Sequence, residues 1–223
     1  MSELIYNEKG FSYLKGVTLT YVCLTKPQLK YESTDKEYLV EVTFDKATYK
    51  AWKKIFKKNT PREIENADYE KYKKITAPFQ DQDEQYVYKF KVDEKFSNSF
   101  KDKSGTEYAE GDLVPKTWLP KVLLPQESGE LLDITWDKMV ANGSTADIAF
   151  KTRKNAYGGL SIKLDSILLD NFIEFESTST GAFGAVVGSS KPAQQPAKEE
   201  ETPKATPEKH EQEPDFDDDS IPF

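Results

Sequence analysis

The chain has 223 residues, a formal net charge of −8, 37% hydrophobic residues and 13% aromatics. That length accommodates one good core plus a tail, and the low apolar fraction predicts that part of the chain lies outside any core. One cysteine (Cys23) and one histidine (His210) exclude a disulfide scaffold and a Cys/His zinc site. No stretch approaches the roughly 18 apolar residues of a membrane span, and the start lacks a basic-plus-apolar signal, so a soluble intracellular protein is expected.

The acidity is unevenly spread. Residues 177–223 hold 4 Lys and 10 Asp/Glu, a charge of −6, which leaves only −2 on residues 1–176. The body can therefore present a basic surface although the whole chain is acidic. A domain over 1–176 and a tail over 177–223 is the expected organisation.

Residues 1–16 are mixed and read as a lead-in. From Val17 a strand pattern begins, with Val17, Leu19, Tyr21 and Cys23 alternating against Thr18, Thr20, Val22 and Leu24 until Lys26-Pro27. A second alternation sets Tyr38, Val40, Val42 and Phe44 against Leu39, Glu41 and Thr43. The two predict the opening strands of a curved antiparallel sheet.

Residues 45–75 change to a helical period and predict a helical hairpin inserted between strands. Thr48, Ala51, Trp52, Ile55 and Phe56 share one face, and Lys46, Lys50, Lys53 and Lys57 the opposite one, flanked by Lys54 and Lys58. Thr60 as N-cap, Pro61 at the first helical position and Glu63 closing a capping box predict a second helix, with Ile64, Asp68, Tyr72 and Ile75 on one face. The lysine face is either a solvated surface or a phosphate track for single-stranded or duplex DNA, with Lys50, Lys53, Lys54 and Lys57 as candidates.

Gln85–Val92 predicts another strand with Tyr86, Tyr88, Phe90 and Val92 inward and Lys89 and Lys91 outward. Residues 93–117 lack strong periodicity, which for so long a segment suggests a contact loop. Trp118–Leu124, interrupted by Pro120 and closed by Pro125, predicts an edge strand or extended segment.

Asn142-Gly143 supplies a turn. Beyond it Ala146, Ile148 and Phe150 point one way, and Thr145, Asp147, Ala149, Lys151 and Arg153 the other. Lys154 opens a hairpin loop carrying Tyr157 beside Gly158-Gly159, and the return strand points Leu160, Ile162 and Leu164 inward before a final apolar strand over Ile167–Phe175. Tyr157 on its loop is the leading stacking candidate and Trp118 a second. Lys151, Arg153, Lys154, Lys89 and Lys91 are the candidate phosphate contacts.

From Ser177 the composition turns to Ser, Thr, Gly and Ala, then to Pro, Gln, Glu and Lys, which predicts a disordered tether. It ends in an acidic run, Asp215, Phe216, Asp217, Asp218 and Asp219, followed by Ser220 and the apolar hook Ile221, Pro222 and Phe223. A peptide over 213–223 cannot bury itself, but Phe223 can fill an apolar pocket, Pro222 limits the freedom lost on docking, and the carboxylates suit a basic rim. The same charges imitate a phosphate backbone.

This ending resembles the C-terminal tip of single-stranded DNA-binding proteins from bacteria and their phages, with Ser220 interposed before Ile-Pro-Phe. Gly143-Ser144, Tyr157 and Gly159-Leu160-Ser161 resemble the core of phage single-stranded DNA-binding proteins built on an OB barrel. The resemblance implies a mainly β fold: a single OB barrel with the helical hairpin inserted and a disordered acidic tail. It also implies that the protein coats and protects single-stranded DNA in phage replication, recombination and repair, in the cytoplasm of the infected bacterium. The tip would compete with DNA and recruit replication and repair proteins.

Against an enzyme, the sequence has no Gly-rich phosphate loop ending in Gly-Lys-Ser/Thr, no His-based motif and no convincing set of metal carboxylates, so no cofactor or metal is expected. An adaptor whose barrel binds protein rather than DNA, recruiting the replication machinery through the same tip, stays open as the alternative.

Overall fold

The computed structural model describes residues 1–154 and 159–175. The chain divides into two units, Met1–Ser177 and Thr178–Phe223, and every described residue belongs to the first.

That unit is mainly β. Its described strands begin with β1 (Glu3–Ile5), β2 (Phe11–Leu29) and β3 (Lys36–Phe44); after helix α1 (Lys46–Ile55) come β4 (Arg62–Glu65), helix α2 (Asn66–Lys73) and β5 (Glu84–Asp93). A short hairpin, β6 (Phe100–Lys101) and β7 (Glu107–Tyr108), precedes β8 (Lys121–Pro125), β9 (Leu131–Asp133), β10 (Thr145–Lys154) and β11 (Leu160–Asn171). The main sheet runs β4-β5-β3-β2-β10-β11-β8-β9, with β1 on β2. It curls until β11 lies against β5 with no ladder between them. The long strands β5, β3, β2, β10 and β11 thus make the partly open five-stranded barrel of the OB class.

Strand β2 joins both halves of the barrel. Its first part pairs with β10 and its second with β3. Within the first part, where the β2–β10 register shifts, stands Gly16, whose φ of +61° suits glycine and whose missing Cβ would stand 3.0 Å from the Met1 carbonyl oxygen. A second irregularity at Tyr21, with φ +49°, falls where the β2–β3 register shifts. It reverses the alternation: Val17 and Leu19 are buried, Tyr21 is exposed, and Leu24 is buried instead of Cys23. The expected inward set therefore fails beyond Leu19. The strand also runs through Lys26-Pro27 to Leu29, three residues past its expected stop. The supposed lead-in contains β1 and the start of β2.

Helix α1 forms as its periodicity predicts. Asp45 caps it, one carboxylate oxygen accepting from the Thr48 N–H at 2.8 Å and the other from the Ser2 N–H at 2.8 Å. Burial raises the Asp45 pKa, but these hydrogen bonds outweigh it and hold the carboxyl below its ordinary value. Trp52 and Phe56 fill one end of the barrel against Phe44, Tyr88, Phe90 and Phe150.

The second helix begins later than its capping signature suggests. Residues 62–65 pair with β5 as β4, so Pro61 and Glu63 lead into an edge strand, and α2 starts at Asn66. Asp68 and Tyr72 are exposed, and the buried face is Tyr69 and Lys73. Tyr69 meets the Thr43 hydroxyl at 2.8 Å, and Lys73 meets Glu41, so α2 covers the outer face of β3. The helical hairpin of the sequence is therefore helix–strand–helix.

Two other expectations change. The segment before Pro125 is no edge: β8 lies between β11, in parallel, and β9. The last strand ends at Asn171, with only an isolated bridge at Glu174 beyond it.

Candidate nucleic-acid interface

Two basic segments far apart in sequence meet at one end of the barrel. The indole N–H of Trp52 donates to the Asn59 carbonyl oxygen at 2.7 Å, and the Asn59 amide donates to the Leu160 carbonyl oxygen at 2.6 Å. These two bonds fix the end of α1 to the start of β11. Between them lies a groove of about 410 Å³ whose lining includes Tyr6, Glu8, Phe56, Lys57, Lys58 and Lys154. Three lysines against one carboxylate leave it positive. Lys154 donates to Glu8 at 2.7 Å, a bond that raises the pKa of the lysine and lowers that of the glutamate.

Lys151 and Arg153 continue the positive surface along the outer face of β10, and Lys163 stands opposite Lys151 on β11. The Lys151 ammonium lies 3.9 Å from the Phe11 ring centroid and 4.0 Å from Asp165. Lys50, Lys53 and Lys54 are exposed on α1 as expected, and Lys57 is exposed in the turn that follows it. Lys53 sits over the Tyr49 ring at 4.9 Å, and Lys57 belongs to the groove.

Lys89 and Lys91 point outward but lie elsewhere, on the β3–β5 face beside α2. Lys89 pairs with Glu41 at 3.2 Å, and Lys91 with Glu37 at 3.0 Å. Both ammonium groups already have buried carboxylate partners, which separates them from the groove lysines.

Trp118 belongs to a cluster with Phe96, Phe100 and Tyr108 on the 93–118 excursion, its ring 5.2 Å from that of Tyr108. The cluster holds together the hairpin of two-residue strands β6 and β7, so this segment is a small folded arm. Nearby, Lys116 sits 4.8 Å over Trp136, which packs edge-on against Tyr38.

Tyr157 lies outside the described residues, as do the tip residues Asp215, Phe216, Asp217, Asp218, Asp219, Ile221, Pro222 and Phe223. Reading the sequence missed Lys163, Phe11 and Tyr6. Lys163 has the period-two signal of β11, whereas the two aromatics stood in an unassigned lead-in. Among the described residues no group of three His, Cys, Asp or Glu is placed to hold a metal ion, and no helix is long and apolar enough to cross a membrane.

No family model and no curated protein matches the sequence. Among solved structures, the chain is similar to single-stranded DNA-binding proteins of bacteriophages. A C-terminally truncated one from bacteriophage Enc34 is 18% identical, with 77% of this chain and 97% of that chain covered and a TM-score of 0.40. The Enc34 protein in complex with ssDNA gives 17%, 77%, 97% and 0.39 in the same order. The gp2.5 protein of bacteriophage T7 gives 16%, 78%, 98% and 0.41.

Proposed function

We propose that this protein coats single-stranded DNA, with the strand held along Lys57, Lys58 and Lys154 and then Lys151, Arg153 and Lys163. The convergence of Lys57 and Lys58, just past α1, with Lys154 of β10 on one groove carries this reading, because a phosphate backbone needs a continuous positive path and neither segment supplies one alone. Lys154 and Gly159, which flank the Tyr157 segment in sequence, both line the groove, and this supports a base-stacking role for Tyr157. The exposed Lys50, Lys53 and Lys54 extend the path along α1, where duplex DNA could also be held.

Full-length protein titrated with oligo-dT of increasing length should show saturable binding that weakens steeply with salt. Absence of binding in dilute buffer by both the full chain and a form lacking residues 214–223 would sink the reading and favour the adaptor. Replacing Lys57, Lys58 and Lys154 together by alanine should flatten the slope of log K against log salt by up to about 2, since each single-strand phosphate contact contributes about 0.7. An unaltered slope places the phosphates elsewhere.

The tail acts as a tethered competitor in this reading. Asp215, Asp217, Asp218 and Asp219 occupy the groove when DNA is absent, helped by high local concentration. DNA releases them, and Phe216, Ile221, Pro222 and Phe223 then engage replication and repair proteins. Deleting residues 214–223 should tighten DNA binding most at low salt. Equal affinities across a salt series would rule the competition out.

A further inference from the structure

We infer that Phe11 and Tyr13 form a platform for unpaired nucleobases on the outer face of β2, which rests on the proposed DNA binding and specifies where the bases lie. The first part of β2 alternates cleanly: Ser12 and Leu14 are fully buried, while Phe11, Tyr13 and Lys15 face out. Tyr13 is 39% exposed and Ile5, its partner on β1, is 40% exposed. Across the sheet Tyr13 stands opposite Ala149, which stands opposite Ser166. Those side chains are small, so the sheet surface on that flank of the ring is low.

The two rings are about 7 Å apart along the strand, so each can take its own base. Cations border this surface: Lys15, Lys151, Arg153 and Lys163 face out from the same three strands. The carboxylates on this face are Glu3, Asp147, Asp165 and Asp170. Asp147 accepts the Gly16 N–H at 2.9 Å, Asp170 accepts from the Thr145 hydroxyl at 3.3 Å and Asp165 lies by Lys151, so the cations nearest the two rings are Lys15, Lys151, Arg153 and Lys163.

The Lys151 ammonium covers the Phe11 ring face. An exposed ammonium–ring contact is weaker than a base stacked on the same ring. An arriving base therefore displaces the ammonium, which moves to the phosphate beside that base. One residue thus keeps an apolar ring covered when the strand is absent and neutralises charge when it is present.

The test compares the full chain with a Phe11→Leu/Tyr13→Leu variant and with Tyr13→Leu alone, since Tyr13 is exposed and its loss spares the fold. On oligo-dT the double variant should bind about tenfold more weakly with its salt slope unchanged. On an abasic strand of equal length, variant and wild type should bind alike. Tyr13→Trp should retain affinity and show fluorescence quenched by oligo-dT but not by the abasic strand. Wild-type binding with no loss in either variant overturns the platform alone, as does a loss that persists on the abasic strand. No wild-type binding to oligo-dT overturns the proposed function and the platform with it.

Discussion

Glu41→Gln is expected to cost the fold about 3–5 kcal/mol at neutral pH, the range for breaking a buried ion pair on one side. Glu41 projects from the middle of β3 with 2% exposure and meets cations from three other elements: Lys73 of α2, Arg62 of β4 at 3.0 Å and Lys89 of β5 at 3.2 Å. Without the carboxylate, Lys73 becomes a buried ammonium beside two like charges. Burial raises the Glu41 pKa, but Lys73 and then Lys89 pull harder, so it titrates below its ordinary value. Burial lowers Lys73, Glu41 pulls against that, and Arg62 and Lys89 reinforce burial, leaving it below its ordinary value too.

The pH dependence follows from the carboxylate. A depressed folded pKa gives stability that is complete above the unfolded value of about 4.3 and disappears as pH falls through the folded one. Thermal melts should therefore separate wild type from Glu41→Gln by about 6–20 °C at pH 7, and the gap should narrow progressively as pH falls below about 4. A pH-independent gap would show that packing, not charge, is lost. Glu41→Gln/Lys73→Met should recover much of the loss, because no buried ammonium is then left without its carboxylate.

Trp52→Ala is expected to destabilise the protein by about 3–5 kcal/mol, as for other large-to-small changes of buried aromatics. Trp52 is fully buried and contacts the rings of Phe44, Phe56, Tyr88, Phe90 and Phe150. It also anchors Asn59 and through it Leu160. Urea titrations should show the loss as a lower midpoint. Trp52→Phe should cost less stability yet still loosen the groove, because the indole N–H is gone. DNA affinity retained at the wild-type level in Trp52→Phe would show that the Asn59 link does not position the lysines.

The hairpin of β10 and β11 was legible because its pattern is local: a glycine turn, then Ala146, Ile148 and Phe150 alternating strictly into the core. Helix α1 was legible for the same reason at helical period. Strand β2 was only half legible, since the backbone at Tyr21 adds a residue that no side-chain pattern announces. Residues 60–63 carried a true helix-start signature, but pairing of Arg62–Glu65 with β5 overrode it. The arm over 93–118 escaped because strands of two residues have no period; its coherence comes from four aromatics that meet only in three dimensions. The candidate residues divided accordingly. Lys57 and Lys154 met at the groove, whereas Lys89 and Lys91 proved to be held by glutamates that sequence alone could not assign to them.

The double partnership of β2 governs how the polypeptide is made. Lys151 closes a ladder with Phe11 that spans most of the domain's length, so this barrel has a high contact order. On the ribosome the amino-terminal ribbon must wait, one edge unsatisfied, until the β10 segment has emerged. Nascent chains halted before that point should engage chaperones, and release of the stalled segment should trigger cooperative closure late in synthesis.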